Sequence, residues 1–428
     1  MARTNPLTSA SETEQKAILR PPRVLHVATS AMSLKLMQGQ LAFLRESGFE
    51  VMVITSPGKE LRAVGRSEGI ETFSVPMARE VSFGSDLKSV VHLYQIIKRL
   101  KPAITNVGTP KAGLLGGVAA WLARVPCRFY TLRGLRCETT KGLKRRILLL
   151  SERIACLCAH RVICVSESLR QKAVALGIVH SHRTLVLGSG SSNGVDASRF
   201  SITPELLHRV SELRKQLEIP AEAHVVGFVG RLTRDKGLVE LVKAFSRLSE
   251  TSSAAWLLLV GDFEDGDPLP PDICQTIETK PRIVRTGFAP DATIYYYLMD
   301  VLALPTYREG FPNVVLEAHA AGKPVVATRA TGAVDAVIEG VTGIQVPIGD
   351  TAALAEGLEL LLRDKPLAAA MGGAGRERVR CEFQRERIWE ALTQEYSQLL
   401  RSRGLLRPEV ETKSAASAAT RGSSLVQS

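Results

Sequence analysis

Two series of short apolar runs, set apart by amphipathic stretches, constrain what this chain can fold into more than any other feature. The first series comprises 24–28, 51–55, 104–107, 129–132, 162–165 and 185–187, with helical periodicity between its members, as at 34–46. The second comprises 225–229, 256–260, 283–285, 301–304, 324–327 and 344–346. Runs this short and this continuously apolar describe strands covered on both faces, and the helical stretches supply the covers. The pattern predicts an α/β chain with two doubly wound parallel sheets.

This reading divides the chain into a first domain over 21–195, a polar connection over 196–222, a second domain over 223–382 and a helical segment over 383–406 placed to cross back onto the first domain. The ends, 1–20 and 407–428, are rich in Ser, Ala, Thr and Glu and read as disordered tails. Ligands of such folds sit at the carboxyl ends of the strands, in the cleft between domains.

Charge points to an anionic partner. Lys and Arg number 55 against 43 Asp and Glu, a net +12, and much of the excess lies between Arg124 and Lys172, where twelve cations face three acids. Nucleic acid fits poorly, because aromatics are only 5% of the chain and do not interleave with these cations. Five of the seven cysteines fall between Cys127 and Cys164 in apolar settings, an odd count without paired C-x-x-C spacing, so they read as small buried hydrophobes in a reducing cytoplasm rather than as disulfides or a zinc site. No apolar run reaches the roughly 18 residues that a membrane span requires.

Two loops carry the chemistry. YREGFPNVVLEA at 307–318 follows an apolar run and opens a helix, for which Asn313 is the expected N-cap. The free amides of such a helix start hold an anion, and Glu309 and Glu317 can accept hydroxyl protons, a combination that suits a phosphorylated sugar. GFVGRLTRDKG at 227–237 places Arg231 and Lys236 in the turn after another strand, where Arg grips phosphate bidentately and Lys acts as a point charge. A solvated loop with surface charges is the plain alternative. The Asp-x-Asp of 262–267 resembles a divalent-cation site, but its position between an apolar run and two prolines reads as a polar loop.

GRLTRDKG and the E-x7-E pair of EGFPNVVLEAHAAGKPVVAT resemble the nucleotide-sugar site of retaining glycosyltransferases of family 4, which have the GT-B fold. The likeness spans most of 23–380 and includes the Asn193-Gly194-Val195-Asp196 hinge. It implies that Gly230, Arg231 and Lys236 meet the donor diphosphate, that Glu309 meets the transferred sugar and Glu317 the ribose, and that Phe288 and the amides of Gly310, Phe311, Asn313 and Val314 complete the donor site. It implies no metal and no cofactor beyond the nucleotide sugar, expected to be a UDP-sugar, with Arg231 and Lys236 offsetting the charge of the leaving diphosphate.

In the first domain, TPKAGLLG at 109–116 is a strand end, a turn and a helix start, where Thr109 and Lys111 can hold an acceptor phosphate or hydroxyl, or where a Gly-rich turn simply packs. This segment resembles family 4 enzymes acting on polyprenyl-diphosphate-linked sugars. Two departures stand out. Such enzymes often carry His-Gly after the Tyr-Thr strand, and here Arg133 takes that place, followed by Gly134 and Arg136; Arg133 supplies a fixed charge and hydrogen bonds but accepts no proton. The first loop, Thr29 to Ser33, also lacks the Gly-Gly often found there.

The segment 141–154 joins cations to apolar residues and reads either as a surface for anionic membrane or as a sheet-covering helix with a basic edge. His26 and His319 read as packing residues. The expected function is transfer of a sugar from a nucleoside diphosphate to a glycan or lipid-linked acceptor in bacterial surface polysaccharide assembly, in the cytoplasm and peripherally on the membrane's inner face. The alternative enzyme is a UDP-N-acetylglucosamine 2-epimerase, and the alternative class a nucleic-acid-binding module.

Overall fold

The computed structural model describes residues 21–77 and 83–406; the expected tails fall outside them. The first sheet has seven strands in the order β3-β2-β1-β4-β5-β6-β7: β1 Arg23–Val27, β2 Glu50–Thr55, β3 Glu71–Ser74, β4 Ile104–Gly108, β5 Cys127–Leu132, β6 Arg161–Cys164 and β7 Thr184–Leu185. The second has six in the order β10-β9-β8-β11-β12-β13: β8 His224–Val229, β9 Ala255–Val260, β10 Ile283–Gly287, β11 Val301–Leu304, β12 Val325–Thr328 and β13 Gly343–Val346. The pairings within both sheets are parallel. Each order reverses direction once, at β1/β4 and at β8/β11, which is where doubly wound sheets leave a crevice for ligand.

Strand β3 escapes detection in the sequence because it is an edge strand whose four residues are half-buried or exposed. The polar connection is also more ordered than expected: Pro204–Gln216 forms a helix whose first turn is capped by the Thr203 hydroxyl, accepting from the Leu206 amide at 3.2 Å.

The chain crosses between domains twice, side by side. At the first crossing the Val195 amide donates to the Phe383 carbonyl at 2.8 Å. Gly194 sits at φ +65°, and a Cβ there would stand 2.6 Å from the Phe383 oxygen, so only glycine fits. After the second crossing, the helix Arg385–Ser402 lies on the first domain, burying Ile388, Trp389, Leu392, Tyr396, Leu399 and Leu400 among residues of β1, β4 and β5. Its Trp389 indole donates to Asn193 Oδ1 at 2.7 Å, tying the returning helix to the hinge.

Candidate active site

The two crevices face each other, with Gly310 of the second domain against the backbone of Arg133 of the first. After β8 the chain turns through Gly230, at φ +146°. It re-enters a helix at Gly237, where a Cβ would stand 1.9 Å from the Pro305 carbonyl oxygen, so the turn is pressed against the end of β11. Asp235 holds that contact: its carbonyl accepts from the Tyr307 amide at 2.9 Å, and its carboxylate accepts from Thr233 and Arg308, both at 2.7 Å. Burial opposes ionisation there, but those donors and cations leave the Asp235 pKa below the ordinary carboxylate value.

This turn brings Lys236 Nζ within 2.5 Å of Glu309 Oε1, with both side chains largely enclosed. Arg231, half exposed, pairs with Glu264. Other acids of the expected Asp-x-Asp loop are spent on protein donors: Asp262 on the Phe288 amide at 3.1 Å and Asp267 on the Asp235 amide at 2.8 Å. Phe288 itself is 59% exposed, with Lys35 of the first domain 5.3 Å from its ring centroid.

Two expectations need correction in the helix Asn313–Ala320. Asn313 is its first residue, not its cap; Pro312 occupies the cap position, which offers no side-chain acceptor, and the Asn313 Oδ1 accepts instead from Ser191 of the inter-domain connection at 3.2 Å. The first-turn amides, Asn313 and Val314 among them, thus have no side-chain cap from the Pro312 position and no carbonyl a turn earlier within the helix, which leaves the anion-binding character intact. Glu317 is not an open carboxylate: its Oε2 accepts from Tyr296 at 2.6 Å, and burial raises its pKa. Its other oxygen has no such donor. Phe311 packs on Phe383, with ring centroids 5.3 Å apart.

The loop before that helix is wedged into the first domain. Gly310 accepts from the Ser166 hydroxyl at 2.7 Å, and a Cβ on Gly310 would stand 2.1 Å from the Arg133 carbonyl oxygen. Glu309 thus lies one residue from the backbone of Arg133. The Arg133 side chain is partly enclosed; its Nη1 is buried without a hydrogen-bond partner, and burial lowers its pKa to about 10.

The remaining first-domain candidates are arranged differently from expectation. Lys111 is neither an exposed lysine nor a free anion seat, because it pairs with Asp86 at 2.8 Å in a largely enclosed contact. Thr109, at φ +75°, shares a 2.7 Å hydroxyl contact with Thr29, whose Oγ1 accepts from the Ala112 amide at 3.1 Å, so these threonines lock two strand ends together. Arg136 is exposed at the start of a single turn after β5 that buries Cys137. His319 is buried, its Nε2 3.1 Å from the Thr342 carbonyl, and burial lowers its pKa to about 4. His26 is buried as well, as a packing residue is, and among the described residues its Nε2, like the His319 Nδ1, has no hydrogen-bond partner.

Sequence reasoning missed a cavity of about 490 Å³ between the domains, lined by Cys137, Glu138, Lys141, Arg145, Lys172 and Tyr307 among others. Three of its cations belong to the 124–172 excess, which was the available signal.

Two facing doubly wound domains, a clamped basic turn and an opposed carboxylate loop at the second switch point define a GT-B glycosyltransferase. Residues 37–190 match the Glycosyl transferase 4-like domain, and residues 210–378 match Glycosyl transferases group 1. The chain belongs to this family, glycosyltransferase family 4. It is 37% identical over 383 residues to the capsular polysaccharide biosynthesis glycosyltransferase CapM of Staphylococcus aureus, covering 90% of this chain and 99% of that one. It is 27% identical over 304 residues to the Escherichia coli UDP-Gal:alpha-D-GlcNAc-diphosphoundecaprenol alpha-1,3-galactosyltransferase, covering 70% and 77%. Among solved structures it resembles Anabaena Alr3699/HepE in complex with UDP, with TM-score 0.72, 22% identity, and coverage of 88% of this chain and 100% of that one. The family models and both sequence relatives are glycosyltransferases by name, and the epimerase alternative is not favoured.

Proposed function

We propose that the protein transfers a sugar from UDP to a glycan or polyprenyl-diphosphate-linked sugar, with retention of configuration and without a metal ion, in assembly of a bacterial surface polysaccharide. The observation that carries this reading is the enclosed Lys236–Glu309 contact of 2.5 Å at the second switch point. An ammonium and a carboxylate held together there form an exchangeable pair. An arriving diphosphate takes Lys236, and the released Glu309 accepts hydroxyl protons of the sugar. Arg231, half exposed on its Glu264 partner, is placed to make the same exchange. The names of the Escherichia coli relative and of the Anabaena structure support UDP, and the former supports a diphosphate-linked acceptor.

In the proposed step the bond from the sugar's anomeric carbon to the diphosphate oxygen breaks as the acceptor oxygen bonds on the same face. The acceptor proton passes to the departing phosphate oxygen. Lys236, Arg231 and the amides of Gly310, Phe311, Asn313 and Val314 offset the charge that develops on the leaving group. These cations do the work a divalent ion would do, and Asp262, Glu264 and Asp267 are already engaged by protein donors.

With Lys111 committed to Asp86, the acceptor phosphate is better served by Lys141, Arg145 and Lys172 around the inter-domain cavity, with Arg136 nearby in sequence. The helix Gly142–Cys158 starts at that cavity. Its inner face buries Glu152, Ala155, Cys156 and Cys158, as a sheet-covering helix does. Its outer face exposes a second apolar stripe, Leu143 at 72%, Ile147 at 45%, Leu150 at 58% and Leu157 at 65%, beside exposed Lys144, Arg146 and Arg153. Apolar residues at helical spacing between cations suit an anionic bilayer surface, where each cation contributes about 1 kcal/mol. Among the described residues no helix is long and apolar enough to cross a membrane.

The test is a screen of UDP-sugars against a synthetic polyprenyl-diphosphate sugar, with and without EDTA, reading product mass and anomeric configuration by NMR. A retained glycosidic product insensitive to EDTA is expected. An inverted product, or a rate abolished by chelation, refutes the mechanism.

A further inference from the structure

Arg133 stands on the cleft floor without a carboxylate partner among the described residues, and its neighbours are already spent on one another. Continuing the alternation of β5, it shares a sheet face with Phe129 and Thr131, the face covered by the helix Arg385–Ser402. On that face Thr131 donates to Asn106 Oδ1 at 2.8 Å, and Asn106 Nδ2 donates to the Tyr396 hydroxyl at 2.7 Å. Gly108 at the end of β4 makes room for the guanidinium, since a Cβ there would stand 3.4 Å from Arg133 Nε. What is left over is Arg133 Nη1 and, on β1, His26 Nε2, both buried and both without a hydrogen-bond partner.

The electrostatics agree with this geometry. The groups acting on Arg133 besides burial are the Tyr396 and Tyr130 hydroxyls, and no carboxylate is among them. His26 is held to a pKa of about 3 by burial and then by the Arg133 charge, so near neutrality it is uncharged and its free nitrogen can accept a hydrogen bond from a ligand hydroxyl. A buried cation with no counter-ion is costly to keep. The cost is recovered when a ligand brings the missing charge.

That charge is not the donor diphosphate, for which Lys236 and Arg231 already stand on the second domain. The Arg133 carbonyl instead abuts Gly310, next to Glu309, the residue that the proposed function gives to the transferred sugar, so the Arg133 side chain starts from the sugar end of the cleft rather than from the diphosphate. A planar guanidinium pairs bidentately with a carboxylate, and a hexose acquires one by oxidation at C6, as a hexuronate. We propose that Arg133 is the counter-ion of a carboxylate on one of the two sugars in this cleft, so that the donor or the acceptor of this glycosyltransferase is a hexuronate. The inference rests on the glycosyl-transfer reading above and adds a selectivity that this reading does not require.

The experiment measures binding within pairs that differ only at C6. For the donor, UDP-glucose is compared with UDP-glucuronate, and UDP-galactose with UDP-galacturonate, by displacement of a fluorescent UDP. For the acceptor sugar, p-nitrophenyl glucoside is compared with p-nitrophenyl glucuronide, and the galactose pair likewise, on the UDP-saturated protein. The expected result is about ten-fold or tighter binding of the uronate member in one arm, lost in Arg133→Gln and partly kept in Arg133→Lys, with UDP affinity unchanged. The arm that responds identifies the sugar. Equal binding within every pair, or a preference that survives Arg133→Gln, overturns the proposal and leaves the two orphaned nitrogens to an internal water. Failure of the wild type to bind UDP at all would instead refute the proposed function.

Discussion

The two walls of the cleft handle charge in opposite ways. In the second domain the cations arrive with partners: Lys236 with Glu309, Arg231 with Glu264 and Arg308 with Asp235. In the first domain Arg133 has none among the described residues, and its neighbour His26 is likewise incomplete. A paired cation costs little to keep and must be won by a ligand in exchange, which suits a diphosphate with charge to spare. An unpaired buried cation is a standing cost that a single ligand charge removes, which suits selectivity more than raw affinity.

The largest effect that would break this contrast is at Lys236. Lys236→Ala is expected to lower turnover by about 10²- to 10³-fold, as loss of one preorganised charge at a leaving group does, while thermal unfolding stays within a few degrees of wild type. The substitution also leaves Glu309 as an uncompensated anion beside the phosphates. Adding Glu309→Gln should therefore recover part of the UDP affinity lost in the single variant, measured by calorimetry; no recovery would mean that the pair is not exchanged on binding.

Next in size is Gly310→Ala. A methyl group 2.1 Å from the Arg133 carbonyl oxygen cannot be accommodated without parting the two walls. Turnover should fall by about 10- to 100-fold, since misplacement of reacting groups by about 1 Å carries that scale of penalty. UDP affinity should weaken as well, because the displaced loop carries the Gly310 amide proposed to meet the diphosphate.

Glu152 sharpens the comparison through pH. It is buried beside Tyr130, whose hydroxyl donates to it at 2.6 Å, and burial raises its pKa from 4.5 to about 7. A raised carboxyl pKa means that the folded state prefers the protonated form. Its contribution is complete below pH 4.5 and is lost as pH rises through about 7, a difference of about 3 kcal/mol at most. Glu152→Gln should remove this slope and melt higher than wild type at pH 8.

The smallest expected effect is Arg133→Gln without ligand. Its melting temperature should equal or exceed that of wild type by a few degrees, because an unpaired buried charge is replaced by a neutral amide. A clear fall would show that Arg133 holds the fold rather than a ligand.

Much of this molecule was legible in its residues. Continuous apolar runs such as 225–229 and 301–304 placed β8 and β11 within a residue, because strands buried on both faces admit nothing else. The edge strand Glu71–Ser74 was not legible, since half-burial leaves no run to see. In the candidate site, Lys236 and Glu309 were identifiable as loop residues following strands. Their 2.5 Å contact was not, because it depends on Gly237 pressing one turn against Pro305. Lys111 misled for a related reason: Asp86, its partner, lies on a preceding helix that sequence spacing does not relate to it. Asn313 met the local criteria for a cap, but the helix starts on it with Pro312 at the cap position, and its side chain accepts from the distant Ser191, a contact that only the tertiary structure reveals.

The sequence by itself determined the two sheets, their parallel character and the identity of the charged residues at their ends, since burial pattern and turn chemistry are local properties of the chain. Only the tertiary structure decided which of those charges meet. Pairing is set by where separate loops are pressed together, by Gly310 against Arg133 and Gly237 against Pro305, and that packing joined Lys236 to Glu309 while leaving Arg133 without a partner.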